Sequence, residues 1–80
     1  MRDAITYAYP NDTFMFVLGL DEAIIGVEQM TMRVVYSESK CLAILMRNGV
    51  TFKEAEDHFE FNIKTEYMGE KTPIFVDDTM

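Results

Sequence analysis

Cys41 and His58 are the single cysteine and the single histidine of this 80-residue chain, so metal-binding and nucleophilic readings begin with these two side chains. Glu54 precedes His58 by one helical turn, which places a carboxylate and an imidazole on one face where they could share a proton or an ion. A structural zinc site takes about four ligands, and Cys41 is the only other soft donor, so His58 is expected to be a part-exposed helix residue. Cys41 falls near the start of an expected helix, where the dipole would lower a thiol pKa. Its neighbours Leu42, Ala43, Ile44, Leu45 and Met46 instead point to a small apolar residue in the core.

The carboxylates Glu54, Glu56, Asp57 and Glu60 fall on one expected helix. An acid–base pair needs one carboxyl held in an apolar pocket, whereas these lie opposite the apolar stripe and read as a solvated face. Together with Glu66, Glu70, Asp77 and Asp78 they could also imitate the phosphate line of DNA. Asn62, between Phe61 and Ile63, either bonds a backbone group of the following loop or lines a pocket; Asn62, Tyr67 and Glu70 form the candidate polar site. Phosphate-cradling glycine loops, nucleophile elbows and zinc motifs are missing from the sequence. No cofactor is expected and no enzymatic activity.

Composition narrows the classes further. Seven basic against fourteen acidic residues give a formal charge of -7, and the basic residues are scattered singly, which disfavours nucleic acid and anionic membranes. A hydrophobic content of 49% is enough for a packed core in one small domain spanning residues 1–80. One cysteine cannot form an internal disulfide, no apolar run nears the ~20 residues of a membrane span, and no signal-peptide pattern opens the chain. The expected setting is cytoplasmic. Asn11-Asp12-Thr13 has the glycosylation triplet but reads as the turn after Pro10.

These candidates have to be positioned by an α/β (α+β) domain of three strands and about three helices in the order β-α-β-α-α-β. Residues 1–12 read as an extended arm or edge strand ending at Pro10. Residues 13–18, apolar on both faces, read as a strand. Residues 21–30, with Asp21 as cap, suit a helix, although the β-branched pair Ile24 and Ile25 beside Gly26 would also suit a strand. Residues 32–36 read as a strand, Ser37 as the cap of a helix over 38–48, and Gly49 as its left-handed terminator. Thr51 and Glu54 form a capping box, opening a helix of about four turns with Phe52, Ala55, Phe59, Ile63 and Tyr67 or Met68 on one stripe and Gly69 as its stop. Lys53–Asp57 and Glu60–Lys64 are spaced to pair along it. Residues 72–76 close as a strand, with Pro73 near its start.

The pattern carried by Gly49, Thr51, Glu54, Ala55, Phe59, Phe61, Asn62, Ile63, Tyr67, Gly69, Glu70, Thr72 and Pro73 resembles a group of short uncharacterised proteins of tailed phages and prophages, and the stretch Ala-Ile-Ile-Gly-Val at residues 23–27 is similar to the upstream part of that group. The resemblance implies a viral or prophage origin, hence a host-cell cytoplasm, and a shared fold. It brings no catalytic residues.

The helix over 38–48 has six consecutive apolar or small residues and no clean polar side, and the expected strand over 13–18 is apolar on both faces. More apolar surface is implied than 80 residues can cover, so Phe14, Phe16, Cys41, Leu42, Leu45 and Met46 are candidate interface residues of a homo-oligomer, in the simplest case a dimer. The leading functional expectation is a noncatalytic phage-type accessory protein that self-associates and binds protein, with a host protein as the second partner class. Two alternatives stand beside it: an acidic inhibitor of a host nucleic-acid-binding protein, and a small-ligand module built on Asn62, Tyr67 and Glu70.

Overall fold

The computed structural model describes residues 1–66 and 69–79. Among the described residues, three helices and a three-stranded mixed sheet form one small α+β domain: α1 (Arg2–Ala8), β1 (Ile24–Glu28), β2 (Arg33–Ser37), α2 (Glu38–Arg47), α3 (Phe52–His58) and β3 (Ile74–Val76). The spatial order is β1-β2-β3. Strands β1 and β2 are an antiparallel hairpin, whereas β2 and β3 run parallel. Parallel pairing requires a crossover, and α2 with α3 provides it.

Each element of the crossover is set locally. The Ser37 hydroxyl caps α2 by accepting from Lys40 N at 3.2 Å, and Gly49, at φ +103°, closes it. Thr51 and Glu54 form both halves of a capping box on α3. After His58 the chain loosens into a π-type turn over Phe59–Ile63 in which Lys64 N donates to Phe59 O at 2.8 Å. The wider turn brings Phe59 (1% exposed) into the core and leaves Phe61 outside. The regular helix is thus shorter than the four turns expected; Tyr67 and Met68, at its expected end, lie outside the described residues.

The core is built on one face of the sheet. Tyr36 stacks on Phe75 with ring centroids 5.5 Å apart, and Phe59 meets Phe75 edge-on at 5.3 Å. Val34, Ala23, Cys41, Leu42, Ile44 and Ala55 are buried around them.

The first third of the chain departs from expectation in three places. Residues 21–30 are not one helix: a single 3-10 turn over Asp21–Ala23 leads into β1, so the strand alternative for Ile24 and Ile25 holds. The reason is pairing. Ile24 and Val27 lie across from Tyr36 and Val34, with a bulge between Ile24 and Gly26, and the Glu28 carboxylate organises the hairpin turn by accepting from Met30 N at 2.7 Å, Thr31 N at 2.9 Å and the Thr31 hydroxyl. Residues 13–18 are not a strand. Phe14, Phe16 and Val17 are half-buried against the core, but Val17 N donates to the Tyr36 hydroxyl at 2.8 Å, a side-chain acceptor in place of a neighbouring strand. Residues 2–8, expected as part of an extended arm or edge strand, are α1, anchored by the buried Ile5.

Candidate functional site

Helix α2 is held at both ends, which fixes the direction of every side chain on it. At its start the chain terminus folds back: the Ser37 hydroxyl donates to Asp78 Oδ2 at 2.5 Å and Ser39 N donates to Asp78 Oδ1 at 2.8 Å. A carboxylate at a helix N-terminus meets unpaired N–H groups and the positive end of the dipole. The Ser37 hydroxyl and the Ser39 amide hold the Asp78 carboxyl down to about 2. Beside it, Glu38 is only 8% exposed; burial, then the neighbouring Asp77, pushes its carboxyl above the usual range, against the pull of Lys64. At the far end of α2, Arg47 grips Glu22 with two bonds of 3.2 Å, and this hydrogen bonding holds the Glu22 carboxyl below its usual range.

Between these anchors the helix divides sharply. Cys41, Leu42 and Ile44 are buried and Leu45 is half-buried, whereas Lys40, Ala43, Met46 and Arg47 face solvent. The spacing of the exposed set is that of a single helix face. A groove of about 310 Å³ runs on one side of it, lined by Glu22, Lys40, Ala43, Ile44 and Arg47. A second, of about 290 Å³, runs on the other side, with Leu42, Ala43, Met46, Phe52 and the tail residue Asp78 among its walls. Ala43 lines both, so the outer face is a low ridge between two grooves.

The expected interface residues are therefore distributed unevenly. The chain itself covers Cys41 (0% exposed) and Leu42 (4%). Phe14 and Phe16 pack against the core, and the Arg2 guanidinium lies 4.5 Å over the Phe16 ring. Met46 stays 41% exposed. The apolar run at 41–46 masks the polar side of this helix in the sequence; the Lys40, Ala43, Arg47 spacing is the signal that marks it.

The chemically suggestive residues are placed apart. Burial pushes the Cys41 thiol up to about 12, with the charges of Asp78 and Glu38 adding to the effect. His58 is exposed; in its ε tautomer its Nδ1 accepts from Asn62 Nδ2 at 3.3 Å, so Asn62 bonds a side chain rather than a loop backbone. No hydrogen bond joins Asn62 to Glu70, both exposed, among the described residues, and Tyr67 lies outside them. Neither Asn62 nor Glu70 lines the two grooves along α2 or the third one, which Leu45, Val50 and His58 line. Among the described residues, no group of three His, Cys, Asp or Glu could hold a metal ion, and no helix is long and apolar enough to cross a membrane.

The acidic face of α3 is partly engaged within the fold. Glu54 serves the capping box, Asp57 lies 3.8 Å from Lys53, and Lys64 reaches Glu60 at 3.4 Å and Glu38 at 4.0 Å. Among the described residues, the side chain of Lys40 alone of the lysines and arginines makes no hydrogen bond or ion pair.

No family model matches this chain, and no curated protein or solved structure matches it.

Proposed function

We propose that this chain is a noncatalytic, self-associating protein-binding module of phage type that works in the cytoplasm of a host cell. The observation that carries the reading is the outer face of α2. A helix otherwise built into the core keeps Lys40, Ala43, Met46 and Arg47 open to solvent, between two grooves, with Phe52 (51% exposed) at the rim of one. Apolar side chains that remain uncovered beside well-placed charges are what protein surfaces offer to other proteins.

The placement of the reactive residues supports a noncatalytic role. A thiol at about 12 carries no thiolate at neutral pH, and His58 has an amide rather than an acid or a nucleophile as its hydrogen-bond partner. The phage assignment rests on the resemblance over residues 23–27 and 34–75, and neighbouring genes of phage type would support it.

Light scattering over a range of concentrations tests self-association. A mass that rises above 9.3 kDa with concentration is expected; a strict monomer throughout overturns the reading.

A further inference from the structure

Lys40 and Arg47 stand seven positions apart on the outer face of α2, about 10 Å along the axis at ~1.5 Å per residue, and Ala43 sits close to their midpoint. That spacing gives the face a particular symmetry. Turning a second copy through a two-fold axis near Ala43 lays the two helices antiparallel and brings each Lys40 opposite the end of the other helix that carries Arg47. There the Glu22 carboxylate is already aligned by its two bonds from Arg47, and its side chain is 71% exposed. It has lone pairs to spare. The Lys40 ammonium has no partner among the described residues.

We propose that two copies of this chain associate through the outer faces of α2, antiparallel about a two-fold axis near Ala43, with Lys40 of each copy bound to the Glu22 carboxylate of the other.

Three physical features support a second copy as the occupant. The first is charge. Two molecules of formal charge -7 repel over most of their surfaces. On this face the cations Lys40 and Arg47 balance the carboxylates of Glu22 and Asp78, so like molecules meet here without net charge to oppose them, and the unpaired ammonium of one meets the carboxylate of the other. The second is shape. Ala43 is the smallest side chain on the face and borders both grooves, which lets a facing helix approach to the ~8 Å end of the usual interaxial range and set its own side chains into them. The third is apolar area. A stable dimer buries about 800 Å² on each partner, more than ten helical residues offer, and the exposed Met46 and Phe52 on the flank of α2 extend the contact. The face is self-complementary, as an isologous interface requires.

The inference rests on the self-association proposed above, and one set of sedimentation-equilibrium experiments on the full chain separates the two. A wild type that stays at the monomer mass overturns self-association itself. Given a wild-type dimer, Lys40→Glu is expected to weaken it about tenfold, the small effect of losing two symmetric solvent-exposed ion pairs, and Lys40→Glu combined with Glu22→Lys is expected to restore most of the loss. Ala43→Cys is expected to give a covalent dimer on oxidation, because Cα atoms near the axis come within the ~7 Å limit for a disulfide, while the buried Cys41 does not compete. Circular dichroism identical to wild type accompanies each variant, all three positions being exposed. A dimer that ignores Lys40→Glu, is not rescued by the double exchange, or fails to cross-link at position 43 overturns the α2 interface and leaves self-association standing through another face.

Discussion

The Ser37 hydroxyl donates to the Asp78 carboxylate at 2.5 Å across 41 positions of sequence, and the same oxygen accepts from Lys40 N to cap α2. One hydroxyl thus joins the end of β2, the start of α2 and the C-terminal tail. The tail passes over the N-terminus of the helix whose outer face is the candidate interface, and Asp78 lines one of its grooves.

Asp78→Ala should lower stability at neutral pH. The sign follows from the depressed carboxyl: with about 2 in the fold against an ordinary 3.8, the ionised group stabilises the fold above about pH 4, and that share fades as pH falls towards 2. The difference between wild type and Asp78→Ala in urea midpoint should accordingly be full at pH 6 and shrink through this window. A difference that is constant down to pH 2 would mean that the contact contributes no charge-dependent stability.

Tyr36→Phe keeps the ring stacked on Phe75 but removes the acceptor of Val17 N–H. Leaving that donor without its partner should cost about 1–2 kcal/mol. Equilibrium denaturation should show a lower midpoint with an unchanged slope. No shift would mean that water replaces the hydroxyl and that residues 13–18 are held by their side chains alone.

The Cys41 thiol should resist alkylation at pH 8 in the native protein and react at once in denaturant. It is fully covered, and its folded value of about 12 lies above the ordinary 9.0. A group raised in this way contributes stability that is whole below about pH 9 and is lost as pH climbs towards 12. Rapid native-state labelling at pH 8 would contradict the burial of this helix face.

Thr51→Ala removes the hydroxyl that accepts from Glu54 N at 3.2 Å and opens the capping box of α3. Losing such a cap costs about 1 kcal/mol, which lowers the melting temperature of a domain this size by about 4–8 °C. Calorimetry checks the figure. Thr51→Ser should sit close to wild type, since the serine hydroxyl can take the same bond.

Residues 33–58 are readable because their signals are local. Ser37, Gly49 and the Thr51–Glu54 box act within a few residues of themselves, and the spacings Lys53–Asp57 and Glu60–Lys64 gave the ion pairs that form. The α+β class and the three-stranded sheet followed from the same signals together with the apolar runs. What the sequence by itself determined, then, is where the crossover helices begin, where α2 ends and that the last strand returns to the sheet.

The tertiary structure decided the rest, because the deciding partners lie far along the chain. Ile24 and Val27 become a strand once Tyr36 and Val34 are opposite them, overriding a helical spacing of similar strength. Val17 gives up a strand ladder because a tyrosine from β2 takes its N–H. The apolar run at 41–46 looked too long for one domain to cover, yet Cys41, Leu42 and Ile44 turn inward while Lys40, Ala43, Met46 and Arg47 turn out. Helical periodicity sets which residues share a face, but which face meets the sheet depends on β2, the tail at Asp78 and Glu22 on Arg47, and those are contacts between distant segments that no local spacing encodes.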